Sequence, residues 1–204
     1  MSTVETQRTA PALPEGVECP QMLSHVAYVT SDTAVTVEFY TRILGMELVN
    51  AVLDDAIPST GDPVPYFHSF FRMSDGSTIA FFEAPNLPPP APPSDPAYGV
   101  FQHLALQVRS REEVDRWCGW LRSNGVEVVG PVDHKIIYSI YFHDPNGIRL
   151  EITTPLDPGW NDMSAQARQA LEEWESVKRA AREAGRDVQA ELGLLASRRS
   201  HRRS

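Results

Sequence analysis

Apolar and polar residues along the chain switch between two periods, and the order of the switches repeats. Residues 22–29 alternate with period two and are rich in β-branched and aromatic side chains, which predicts a strand. Asp32 then offers an N-cap, and Val35, Phe39, Tyr40, Ile43 and Leu44 form a stripe at helical spacing that Gly45 stops. A strand over 46–53 follows, then a loop punctuated by Pro58, Gly61, Pro63 and Pro65. Strands 66–73 and 78–84 pair across Ser74-Asp75-Gly76. The order is βαβββ.

Proline dominates residues 85–96, which predicts an extended connector with little folding capacity of its own. Beyond it the order recurs. A strand over 101–108 leads to a helix opened by the capping box Ser110-Arg111-Glu112-Glu113, with Val114, Trp117, Cys118 and Leu121 on its apolar face. Asn124-Gly125 ends that helix, and a short strand over 126–129 leads to a hairpin, 132–151, closed by Asp144-Pro145-Asn146-Gly147. His25-Val26-Ala27-Tyr28 matches His103-Leu104-Ala105-Leu106, and Ser77 to Pro85 matches Gly147 to Pro155, at an offset of roughly 70 to 80 residues that indicates an internal duplication. The expected fold is α+β: two βαβββ modules, 22–85 and 100–155, joined by a Pro-rich linker over 86–99 and building one curved mixed sheet around a cup.

The ends have a different character. Residues 1–21 are polar, Pro-bearing and aperiodic, the pattern of a flexible leader. From 156 on, Asp157-Pro158-Gly159 breaks the strand pattern and a helical extension follows. Its main helix spans 164–184, with Leu171, Trp174 and Val177 as apolar positions, and a shorter helix spans 187–196.

Charge and composition narrow the function. A net charge of -9 argues against nucleic acid as the main partner, and Arg198, Arg199, Arg202 and Arg203 read as a solvated basic tail. No apolar run approaches a spanning helix and the N-terminus lacks a secretory pattern, so a cytoplasmic protein without a membrane partner is expected. Cys19 and Cys118 do not make a disulfide framework. Sheet edges and the amphipathic tail make a homodimer the expected assembly.

One carboxylate does not fit a plain core. In the last strand Ile148, Leu150 and Ile152 share one face, and Arg149, Glu151 and Thr153 the other. A mid-strand Glu on an inward face needs a cation or several donors, because an unpaired buried carboxylate costs several kcal/mol. His25 and His103 hold equivalent places in the two repeats. Two imidazoles and one carboxylate leave open coordination positions, the arrangement suited to Fe(II) that holds a substrate and oxygen together. Ala27 and Ala105, next on the same face after each His, leave room there. Against this stands a plainer reading, two satisfied interior histidines and a partly exposed strand Glu.

His25, the segment Phe39-Tyr40-Thr41-Arg42-Ile43-Leu44-Gly45-Met46, His103 and Glu151 resemble the vicinal oxygen chelate superfamily, over residues 23–155. That superfamily includes glyoxalase I, methylmalonyl-CoA epimerase, fosfomycin-resistance proteins and extradiol ring-cleaving dioxygenases. Within it, Val132-Asp133-His134, Ile140-Tyr141, Asp144-Pro145-Asn146-Gly147 and Glu151 resemble the extradiol dioxygenase signature. The resemblance implies His25, His103 and Glu151 as metal ligands, Tyr141 as hydrogen-bond donor to substrate oxygen, and His134 as a group near substrate. Isomerase-like members carry a fourth ligand, Glu or Gln, on the last strand of the first unit. Alignment puts Phe81 at that place, with Glu83 one step along, so the three-ligand oxygenases are the better match. Where extradiol enzymes carry an acid-base His this chain aligns Ser77, which leaves His68 as the candidate base. His143, beside the turn, reads as structural.

The function implied is Fe(II)-dependent extradiol cleavage of a catechol-like substrate in aromatic compound catabolism, with O2 as co-substrate and Mn(II) or another divalent metal as an alternative ion. Phe67, Phe70, Phe81, Phe82 and Tyr138 are candidate pocket walls, with core packing as the competing role. Two alternatives stand beside this reading: a metal-dependent glyoxalase- or epimerase-like isomerase or lyase, and a non-catalytic drug-binding protein.

Overall fold

The computed structural model describes residues 14–85, 87–88 and 94–201. Residues 1–13 of the expected leader, 86 and 89–93 of the Pro-rich linker, and Arg202 and Arg203 of the basic tail lie outside the described residues. Strand β1 is His25–Val29, and α1, Thr33–Glu38, begins where Asp32 Oδ1 accepts the Val35 N–H at 3.1 Å. The helix then widens into a π-helical turn, Phe39–Ile43, in which the Leu44 N–H reaches back to the Phe39 carbonyl, and Gly45 ends it at φ +70°. The widened turn carries Phe39, Tyr40 and Ile43 into the core.

Strands β2 (Glu47–Asp54), β3 (Tyr66–Arg72) and β4 (Thr78–Glu83) complete a sheet of order β1-β4-β3-β2, with β1 parallel to β4 and the other pairs antiparallel. Register sorts its side chains. Phe71 and Phe81 pack with Tyr40, ring centroids 5.2 and 4.9 Å from it, and all three are fully buried. The opposite face carries His25, paired with Thr78, and His68, paired with Phe82, since Thr78 and Phe82 are four residues apart on one strand.

Helix α2 is Pro96–Phe101 and strand β5 Leu104–Gln107; α3, Arg111–Ser123, opens on the expected capping box, Ser110 Oγ accepting the Glu113 N–H. Strands β6 (Val129–Asp133), β7 (Ile137–His143) and β8 (Arg149–Pro155) follow. The second sheet has the order β5-β8-β7-β6, the same as the first, as a duplication requires. The strands thus form two four-stranded sheets and not the single sheet expected, because β1 and β5 each stand at the edge of their own sheet without hydrogen-bonding to one another.

Three expected elements shift. The strand expected over 101–108 begins only at Leu104, because Asp95 caps a helical turn with Pro96 at its first position, where the missing N–H costs nothing. The strand expected over 126–129 lies at Val129–Asp133. The first hairpin strand breaks at Lys135, whose φ of +70° turns the chain between β6 and β7. Helix α4 is Ser164–Glu183, and α5, Val188–His201, runs beyond the expected 196; Ala181, Leu192 and Leu195 are buried and Arg199 pairs with Glu173.

The chain clusters into two compact units. One holds the described residues up to Ala105 together with Gly119–Val128 and Tyr141–Glu151; the other holds Leu106–Cys118, Val129–Ile140 and the chain from Ile152. Within the first unit the β7–β8 turn is locked to the first repeat. Asp144 Oδ1 accepts the N–H groups of Asn146 and Ile148 at 2.9 and 2.8 Å, its Oδ2 accepts the Tyr40 hydroxyl at 3.2 Å, and Asn146 bonds Thr36 and Thr30. Burial holds the Asp144 carboxyl above the ordinary range in spite of these donors, and burial together with the Asp144 charge pushes the Tyr40 phenol up.

Candidate metal centre

The mid-strand carboxylate is as inward as its position suggests. Glu151 is 2% exposed, its Oε2 lies 2.8 Å from His103 Nε2, and its Oε1 accepts the Tyr141 hydroxyl at 3.2 Å. The His103 and Tyr141 rings meet edge to face at 5.8 Å. Tyr141 comes from β7 and Glu151 from β8, so sheet pairing fixes both. His103 is different, because it lies in the two-residue connection between α2 and β5. Arg149, two residues before Glu151 and on its face, sets its guanidinium over the Tyr141 ring, 4.3 Å from the centroid. Its face was legible from strand alternation; the ring it covers was not.

An imidazole nitrogen against a buried carboxylate oxygen, with a phenol at the other oxygen, fits a divalent cation in donor chemistry. The third expected ligand stands elsewhere. His25 is exposed at the edge of the first sheet, its Nδ1 3.2 Å from Ser24 Oγ and its ring 6.4 Å from that of His68. Among the described residues no group of three His, Cys, Asp or Glu side chains is arranged to hold a metal ion.

His68, the candidate base, is buried. It stacks on Phe82 at 3.5 Å and its Nδ1 lies 3.0 Å from the Phe81 carbonyl. A carbonyl only accepts, so Nδ1 carries the hydrogen and Nε2 the lone pair. Burial lowers the imidazole below its usual range and favours this neutral form, with nearby His25 adding to the effect. Ser77, at the place aligned with the missing acid-base His, is a turn residue: its hydroxyl donates to Asp75 Oδ1 at 2.6 Å and holds that carboxyl below the ordinary range. His134 lies in the turn between β6 and β7, where its N–H donates to the Ile137 carbonyl, and His143 is exposed at the end of β7.

Register also corrects the fourth-ligand comparison. The β4 residues on His25's face are Thr78, Ala80 and Phe82, whereas Phe81 points to the core side with Tyr40. Glu83 shares Phe81's facing and accepts the Thr33 N–H at 2.7 Å. No carboxylate stands beside His25 on that strand. Of the candidate pocket walls, Phe81 is core and Tyr138 is tied to α3 through Asp115. An open cavity of about 730 Å³ lies at one end of the first sheet, between Thr33, Leu53, Tyr66 and Glu83; of the candidate pocket walls Phe67 lines it, and none of the candidate ligands or acid-base residues does.

Residues 22–152 match the family model of the Glyoxalase/Bleomycin resistance protein/Dioxygenase superfamily. The chain is 29% identical over 134 residues to the metallothiol transferase FosB of Staphylococcus epidermidis, covering 65% of this chain and 82% of that one. It is 28% identical over 133 residues to the 2,2',3-trihydroxybiphenyl dioxygenase of Sphingomonas paucimobilis, covering 64% of this chain and 40% of the dioxygenase. The crystal structure of a glyoxylase/bleomycin resistance protein/dioxygenase domain from Frankia sp. EAN1pec superposes with a TM-score of 0.55 at 18% identity, over 67% of this chain and 99% of that one, a likeness of fold. No helix among the described residues is long and apolar enough to cross a membrane. On the family-model match and the repeated βαβββ order, the chain belongs to the glyoxalase/bleomycin resistance protein/dioxygenase superfamily, the vicinal oxygen chelate proteins.

Proposed function

We propose that the chain is a divalent-metal enzyme acting on a small molecule with vicinal oxygens, and that its reaction is extradiol-type cleavage of a catechol with O2. The observation that carries this is the buried Glu151 carboxylate, with His103 at one of its oxygens and the Tyr141 hydroxyl at the other. His103 and Glu151 would hold the ion, Fe(II) for this reaction, and His25 would complete the set from a second copy of the chain. Both histidines sit at or beside edge strands, β1 and β5, so a homodimer that pairs these edges would supply the third ligand, which the described residues of one chain do not bring to the other two.

The chemistry that a bound divalent cation supplies is charge stabilisation of the substrate's vicinal oxygens, with a position left for oxygen. The side chains do the rest. Tyr141, already oriented by Glu151, turns its hydroxyl to the substrate oxygen and stabilises the negative charge that develops there. His68 of that second copy, beside His25 and neutral with its lone pair at Nε2, would take the proton of the second hydroxyl, the task for which Ser77 is unsuited. His134 adds a hydrogen bond near substrate. Oxygen uptake by Fe(II)-loaded protein against a panel of catechols tests the reading: substrate-dependent uptake, lost in His103→Ala, is expected, and iron-loaded protein that consumes no oxygen with any catechol overturns the reaction assignment.

The similarity to FosB supports a second reading, transfer of a thiol to an electrophilic small molecule by the same ligand set. Metal-dependent loss of thiol titre without oxygen uptake selects it. An isomerase is disfavoured by the lack of a carboxylate beside His25, and a metal-free binding protein by the buried Glu151–His103 pair.

A further inference from the structure

We propose that Arg149 is the positioning residue of this centre: it ties the segment that carries His103 to the strand that carries Glu151, and braces Tyr141 between them. The inference deepens the metal-centre reading and rests on it for one of its two readouts.

The need for a tether follows from where His103 sits. Glu151 and Tyr141 are held by sheet hydrogen bonds, but His103 follows α2, a six-residue helix too short to be stable alone. Burial does not anchor α2 either, since Tyr98, Val100 and Phe101 are 50%, 55% and 78% exposed. Its last turn is nonetheless held. The Arg149 Nη1 donates to the Val100 carbonyl, three residues before His103, while the guanidinium plane covers the Tyr141 ring.

Strand alternation places Arg149 and Glu151 on the same face of β8, two residues apart. One side chain thus touches the helix end leading to His103 and the phenol that donates to Glu151. A flat guanidinium does both at once, stacking with its face while donating from its edge; a Lys ammonium can donate but cannot stack in this way.

The test compares full-length wild type, Arg149→Met and Arg149→Lys by hydrogen exchange of residues 96–104 and by Mn(II) affinity from electron paramagnetic resonance. In Arg149→Met, exchange at 102–104 is expected to speed up about tenfold or more while the C-terminal helices exchange as before. The Mn(II) dissociation constant is expected to rise about 10- to 100-fold. Arg149→Lys recovers the exchange protection in part and the affinity less. Unchanged exchange at 102–104, acceleration spread equally over the whole chain, or faster local exchange with unaltered Mn(II) affinity each overturns the proposal. Wild-type protein that binds no Mn(II) overturns the metal-centre reading instead, and the exchange data still decide whether Arg149 holds the segment.

Discussion

The two sheets have one topology and two chemistries. On the first, His25 and His68 share a face with Phe70 and Phe82, and the neighbouring positions of β4 are Thr78 and Ala80. On the second, His103 meets Glu151, with Tyr141 and Arg149 around them. A duplicated backbone keeps its strand order because the hydrogen-bond ladder is indifferent to side chains. Side chains have no such tolerance: a buried carboxylate stands in one repeat, and the other presents imidazoles and aromatic surface.

The sharpest way to break this asymmetry is Glu151→Gln. The amide still accepts the Tyr141 hydroxyl but loses the charge, so metal affinity and turnover are expected to fall at least about a hundredfold with little change in melting temperature; Mn(II) titration and calorimetry check both. A mixture of His25→Ala and His103→Ala chains tests how the halves combine. If each site takes its two histidines from different copies, refolding the two inactive variants together restores about a quarter of the wild-type sites by random pairing. Restoration near zero places all three ligands in one chain.

Smaller effects probe the lock between the repeats. Tyr40→Phe removes the hydroxyl that Asp144 accepts in a buried setting and is expected to cost about 1–2 kcal/mol in denaturant unfolding. Asp144→Asn gives a pH signature. Burial raises the native Asp144 above its unfolded value, so the native state binds that proton more tightly. The stabilisation is complete below the ordinary carboxylate value of about 4 and is lost as pH rises through the raised native value. The unfolding free energy of wild type minus that of Asp144→Asn is therefore expected to fall across that window and to be flat on either side.

Local chemistry was legible wherever neighbours in sequence decide it. Asp32, Ser110 and the Asp144–Gly147 turn sit where their side chains or preferred dihedrals act within three or four residues, and each was found in its expected role. Elements that rest on weaker local signals were misplaced. Helix α2 hides behind prolines, and the turn at Lys135 needs a left-handed residue with no Gly to announce it. Phe81 was aligned with Glu151 by counting back from Pro85 and Pro155, and a count that is off by one residue lands on the opposite face of the strand, here the core face.

The sequence by itself determined the repeat and the α+β class, because these follow from periodicity and from two aligned segments, and its motifs carried the resemblance to the family that the family model then matched. Only the tertiary structure decided that His68 is buried, that Phe81 is core, that His25 makes no metal-holding group with His103 and Glu151 among the described residues, and that Arg149 reaches both Tyr141 and Val100. Such facts are sums over residues far apart along the chain, where packing, register and reach choose among arrangements that the same local pattern permits.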